Sequence, residues 1–141
     1  MAMKRLHFGV GDPIPYTYGG AFRTTVDVAK ILEAKYGIME AFAKDNEKEI
    51  LQILRDQAKR YVGQTMRGGE PDLQPAFEKI RRMFKNYILT KKLDGRVKGV
   101  PTAASLRGVN HRFKRPFARR AARASFWDTG LYVSAFKTWV A

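Results

Sequence analysis

Between Val28 and Phe42 apolar side chains return at three- and four-residue steps, at Val28, Ile31, Leu32, Tyr36, Met39 and Phe42, which is the period of one helix face. Thr24 or Thr25 stands where a helix cap belongs. Gly37 falls inside the phase, so the helix either runs through it at a cost of roughly 1 kcal/mol relative to alanine or stops there and restarts. A second stripe follows in Ile50, Leu51, Leu54, Ala58, Tyr61 and Val62, with Asn46 and Glu49 at capping-box spacing ahead of it. Acids lead this segment and bases end it, the order that suits a helix dipole. Gly68, Gly69 and Pro71 close it. Asp72 then caps a third helix with Pro75 in its first turn, and Phe77, Ile80, Phe84, Tyr87 and Ile88 form its buried side.

The periodicity fades towards both ends. Residues 1–23 hold a short apolar run, Leu6 to Val10, and then Gly11, Asp12, Pro13, Pro15, Gly19 and Gly20, a mixture that rules out a helix and predicts an extended arm. Tyr16, Tyr18 and Phe22 give that arm aromatic anchors, for a neighbour or for its own core. From Arg96 to Ser125, Pro101 and Pro116 interrupt the chain; short turns of helix fit Thr102 to Phe113, with Thr102 as cap, and Phe117 to Arg123. Asp128 then caps a short terminal helix with Leu131, Tyr132, Ala135, Phe136 and Trp139 on one side. The expectation is a mainly α chain in one domain: arm 1–23, three-helix core 24–95, and basic segment 96–141 ending in a short helix. The alternative is α+β with a small sheet.

Charge changes this picture more than composition does. The 141 residues carry a net charge of +14, and twelve of the thirteen acids lie at or before Asp94. Between Gly95 and Trp127 there are nine Lys and Arg residues and no acid. Such a segment points to an acidic partner: nucleic acid, an anionic membrane or an acidic protein. A membrane surface requires a basic amphipathic helix, and Pro116 splits the one candidate. No apolar run approaches about 18 residues, the length needed to span a bilayer. The first residues lack the apolar core of a signal peptide, so the start is expected to be unprocessed.

Catalytic chemistry finds no foothold in the sequence. There is no cysteine, and His7 and His111 stand apart from acidic neighbours at ligand spacing, so no metal site or cofactor is expected. Nucleophile-elbow and phosphate-loop motifs are missing; FGVGDP is followed by prolines rather than by a helix. Carboxylates on the second helix suit capping and solubility. The expectation is therefore a binding or structural protein and not an enzyme. For nucleic acid, the arginines interleave with Phe113, Phe117, Phe126 and Trp127, giving phosphate contacts beside stacking surfaces.

The run VPTAASLRGVNHRFKR, an arginine-rich spacer and then SFWDTGLYVSAFKTWV together resemble tailed-bacteriophage virion proteins of the neck, tail-completion and minor tail type. Pro101, Thr102, Leu106, Arg107, Lys114 and Arg115 carry the first half of the resemblance, and Asp128, Thr129, Gly130, Leu131, Ser134 and Phe136 the second. VDVAKILEAKYGIMEAF is likewise similar to the start of phage structural proteins. An aspartic-protease reading of the DTG triplet needs a flap and an aspartate pair drawn from two lobes or a dimer, and a lone DTG in a basic context does not favour it.

The resemblance implies a virion component assembled in the host cytoplasm, a homo-oligomeric ring at the neck or tail that contacts other virion proteins, with packaged DNA as a further candidate partner and no membrane. Arg107, Arg112, Lys114, Arg115, Arg119, Arg120 and Arg123 are then the expected contacts to acidic partners or DNA. Phe126, Trp127, Asp128, Gly130, Leu131, Tyr132, Phe136 and Trp139 are the expected subunit-packing set. The alternative function is a stand-alone basic nucleic-acid-binding protein.

Overall fold

The computed structural model describes residues 5–15, 23–110, 114–115, 117–127 and 130–141. The chain is mainly α, in the order β1 (Leu6–Val10), α1 (Thr25–Tyr36), α2 (Ile38–Met66), α3 (Gln74–Leu89), α4 (Ala103–Arg107), α5 (Leu131–Ser134) and β2 (Phe136–Val140). β1 and β2 pair antiparallel, with Leu6 opposite Val140 and Val10 opposite Phe136.

Thr24 caps α1 in a reciprocal box: its hydroxyl accepts from the Asp27 amide at 3.3 Å, and the Asp27 carboxylate accepts from the Thr24 amide at 2.9 Å. Of the two outcomes open at Gly37, the chain takes the break. Gly37 adopts φ 58°, a left-handed conformation that ends α1 and re-aims the chain. No side chain at the cap position serves the restart; Glu33, from the last turn of α1, accepts the Met39 and Glu40 amides at 2.8 and 3.1 Å. Asn46 does not begin a helix, contrary to its capping-box spacing. It lies inside the continuous α2, where its amide donates to the Phe42 carbonyl at 2.8 Å. Asp72 does serve the start of α3, accepting the Gln74 amide at 2.8 Å.

The core is built from aromatic rings supplied by α2, α3 and the sheet. Phe42, Phe84 and Phe136 are fully buried. The Phe136 ring stacks on Phe84 at 4.2 Å between centroids, and Phe42 meets Phe84 edge-on at 5.2 Å and Tyr87 at 5.4 Å. Phe8, from β1, reaches Phe42 at 6.1 Å. Each ring buried this way contributes about 1.5–3 kcal/mol through lost apolar surface, and well-set pairs add about 0.5–1.5 kcal/mol. Ile38, Ile50, Ile80, Ile88, Leu93 and Val133 fill the space around them.

Two expectations about the ends are corrected. The terminal helix does not extend to Trp139: it stops at Ser134, and Phe136–Val140 is a strand. The physical reason is the partner. Leu6–Val10 offers an extended edge, and pairing with it satisfies five residues of backbone that a lone helical turn would leave open. The N-terminal stretch is accordingly no projecting arm over residues 5–15. It is sewn to the body by β1 and by Thr25, fully buried, whose hydroxyl donates to the Asp12 carbonyl at 2.7 Å and accepts the Ile14 amide at 3.0 Å. Tyr16, Tyr18, Gly19, Gly20 and Phe22 lie outside the described residues.

A third correction concerns α2. Its second apolar stripe was expected to line the bundle, yet among that set only Ile50 is buried, while Leu51, Ala58, Tyr61 and Val62 are exposed. With 29 residues at about 1.5 Å each, α2 is roughly 44 Å long, against roughly 24 Å for the 16 residues of α3. The returning chain meets α2 again at Gln57, which is buried and donates its side-chain amide to the Asp72 carbonyl. Beyond that level no described helix runs alongside α2, and Ala58, Tyr61, Val62 and Met66 stay exposed among the described residues.

Opposite that end, Asp45 ties α2 to the loop after α3. The Arg96 guanidinium donates to Asp45 at 2.7 Å and the Tyr87 hydroxyl donates at 2.6 Å. These donors, Arg96 first, hold the Asp45 carboxyl below the usual carboxylate range. Burial, and then the Asp45 carboxylate, push the Tyr87 hydroxyl up and keep it protonated as a donor.

Candidate functional site

The basic segment is anchored at its two ends, by α4 and by the return of residues 120–125 along it. Thr102 caps α4 by accepting the Ser105 amide at 3.1 Å, and Gly108 ends it at φ 64°. Residues 120–125 return along α4: the Arg120 amide donates to the Arg107 carbonyl at 2.9 Å, and the Arg123 amide donates to the Ser105 carbonyl at 3.0 Å. Ser125 completes the seam, its hydroxyl lying 2.9 Å from that of Ser105 and accepting the Thr102 amide at 3.0 Å. Gly108 makes the seam possible. A Cβ there would lie 2.6 Å from the Ala121 carbonyl oxygen and 2.8 Å from Arg120 Cβ.

This seam sorts the expected cationic contacts. Arg123 acts inward: its guanidinium donates to the carbonyls of Ala124, Trp127 and Val109 at 3.4, 3.2 and 3.3 Å, so it pins the loop and is corrected from a partner contact to an internal brace. Arg120 also serves the loop, donating to the Ala118 and Arg115 carbonyls at 3.2 Å each. Arg107, Lys114, Arg115 and Arg119 are exposed. The ion pairs among the described residues are Lys44–Glu40, Arg81–Glu78, Arg96–Asp45 and Lys137–Asp12, so none of these four meets a described acid. Phe117 stands among them at 75% exposure. Phe113, Arg112 and His111 lie outside the described residues.

The expected packing set divides as well. Tyr132 and Phe136 are buried in this chain's own core, so they are corrected from subunit contacts to internal packing. Phe126 packs on Tyr36 at 5.1 Å. Gly130, at φ 76°, lets the backbone pass against the Trp127 indole, which lies 3.2 Å from where a Cβ would stand. Leu131 is half-buried. Trp139 stacks on His7 at 5.6 Å and remains 41% exposed on the outer face of the sheet. Asp128 and Thr129 lie outside the described residues.

Two surfaces emerge whose exposure the sequence pattern did not predict. The first is the distal half of α2. Leu51, Ala58, Val62 and Met66 follow one another at steps of seven and four, on one side of the helix, and Met66 is 83% exposed. Their regular spacing was visible, but apolar periodicity is the same whether a helix packs inside its own chain or against another.

The second is a cleft of about 240 Å³ between α3 and the turn into α5, lined by Glu78, Arg81, Arg82, Lys85, Trp127, Val133 and Ser134. Arg81 is held in place, donating to the Ser134 carbonyl at 3.1 Å and lying 3.5 Å from the Glu78 carboxylate. Lys85 Nζ lies 5.8 Å over the Trp127 ring. The signal was present as RRMFK on a helix whose other side is core. A polar helix face reads as solvated surface until the fold places an aromatic wall beside it.

No helix among the described residues is long and apolar enough to cross a membrane. This chain matches no protein family, curated protein or solved structure.

Proposed function

We propose that the protein is a structural component of a tailed-phage virion, placed at the neck or tail and acting through subunit assembly in a homo-oligomeric ring. The observation that carries the reading is the distal half of α2. It presents Leu51, Tyr61, Val62 and Met66 at 43, 40, 55 and 83% exposure on a helix that outruns the chain's own core. Isolated apolar side chains are ordinary on a surface, but a regular stripe along a projecting helix is the pattern of a contact awaiting its other half. A second copy supplies the matching stripe, and burial between subunits adds the stability that a small core lacks.

The resemblance of residues 100–115 and 125–140 to neck and tail proteins supports the same reading. So does the manner in which the basic segment is held: a seam braced by Arg123, with Arg107, Lys114, Arg115 and Arg119 exposed beside it, suits a fixed acidic neighbour in an assembly. No catalytic role enters the proposal. The test is to make phage particles without this protein and image them. The reading expects heads and tails that fail to join or tails that fail to finish; complete, infectious particles in normal number would refute it.

A further inference from the structure

We propose that the cleft between α3 and Trp127 seats a backbone phosphate of a single-stranded nucleic acid, whose neighbouring nucleotides run onto the basic segment. The inference is independent of the assembly reading, since a single subunit contains the whole cleft.

The argument begins with size. About 240 Å³ is below the roughly 300–1,000 Å³ of small-molecule sites, so the cleft fits a segment of a long ligand better than a complete cofactor. Charge then gives the sign of that segment. Arg81 is already engaged with Ser134 and Glu78, whereas Arg82 and Lys85 have no carboxylate partner among the described residues and are exposed on α3. An arginine fork beside a lysine is suited to a tetrahedral dianion or a phosphodiester. Trp127 and Val133 add an apolar wall for the attached sugar and base.

Continuity selects nucleic acid over an acidic peptide. The Arg123 guanidinium donates to the Trp127 carbonyl at 3.2 Å, so the anchored end of the basic segment abuts the cleft wall. Arg107, Lys114, Arg115 and Arg119, with Phe117 among them, are exposed on that same anchored segment. A strand with one phosphate at every nucleotide meets charges along that segment and offers bases to its aromatic rings. A peptide would need an unbroken acidic run to do the same.

The experiment is a fluorescence-anisotropy titration of labelled oligothymidylate at several salt concentrations, with wild type and with Arg82→Gln/Lys85→Gln. Both positions are exposed on α3, and an unchanged circular dichroism melt shows that the variant is folded. Wild type is expected to bind at low salt, and the double variant is expected to lower the slope of log affinity against log salt by about 0.7, the value for one phosphate on a single strand. In a Trp139→Phe background Trp127 is the remaining tryptophan, and its emission is expected to be quenched on binding. An unchanged slope, binding without quenching, or no binding at low salt each overturns the proposal. Polyglutamate that displaces the oligonucleotide at equal charge concentration and quenches Trp127 equally also overturns it, in favour of an acidic peptide.

Discussion

Along α2, Phe42 is fully buried while Met66, at the other end of the same helix, is 83% exposed. The proximal half meets α3, β1 and β2 through edge-on rings; the distal half has apolar residues at the same helical spacing that the described residues leave exposed. Periodicity therefore says which face of a helix wants to be covered, not what covers it. The N-terminal strand teaches the converse. Leu6–Val10 has a short apolar run with no helical period, and it is covered because the far end of the chain, Phe136–Val140, supplies its hydrogen-bonding edge.

That contrast can be broken most severely at Phe136. Phe136→Ala removes the ring stacked on Phe84 and is expected to destabilise the fold by about 3–5 kcal/mol in chemical denaturation. Gly108→Ala comes next, with an expected loss of about 1–3 kcal/mol or more, because a left-handed alanine would press its Cβ on the Ala121 carbonyl oxygen. Its signature is local: trypsin should cut within the basic segment faster, while Tyr87 and Phe84 remain buried.

The Asp45 tie gives a smaller effect, with a defined pH window. The folded carboxyl lies below its unfolded value, so its stabilising contribution is complete above that unfolded value, about 3.9, and is lost as pH falls through the depressed folded one. Asp45→Asn should lower the melting temperature by only about 1–3 °C at neutral pH, since the tie is largely solvent-exposed, and the difference from wild type should vanish in acid. A difference that persisted below about pH 2 would assign the effect to packing rather than to the carboxylate. Smallest of all is the distal face: Val62→Asp/Met66→Asp should change subunit stability by less than about 0.5 kcal/mol, because neither side chain touches the core.

The helical interior was legible because Ile80, Phe84, Tyr87 and Ile88 lie at spacings that one face of α3 must bury, and Thr24, Asp72 and Thr102 advertise the helix starts. The small sheet was legible only as an alternative. Leu131 to Trp139 carries a helical spacing by coincidence, and the competing strand pairing spans the full length of the chain, where local pattern has no reach. At the candidate site, the exposed cations Arg107, Lys114, Arg115 and Arg119 follow from charge alone. The inward use of Arg123 does not, since three carbonyls converge on it only after residues 120–125 fold back on α4. Arg82 and Lys85 were hidden for a similar reason: Trp127 is more than forty residues away in the chain and becomes their neighbour only in the fold.

The central claim is that the distal half of α2 exists to be covered by another subunit, and sedimentation velocity over a range of protein concentrations tests it most directly. The account predicts that wild type sediments as a multi-subunit species that dissociates on dilution, and that Val62→Asp/Met66→Asp sediments as a monomer with an unchanged far-ultraviolet circular dichroism spectrum, melting where dilute, dissociated wild type melts. A wild-type protein that stays monomeric at every concentration, alone and with neighbouring virion proteins added, would contradict it.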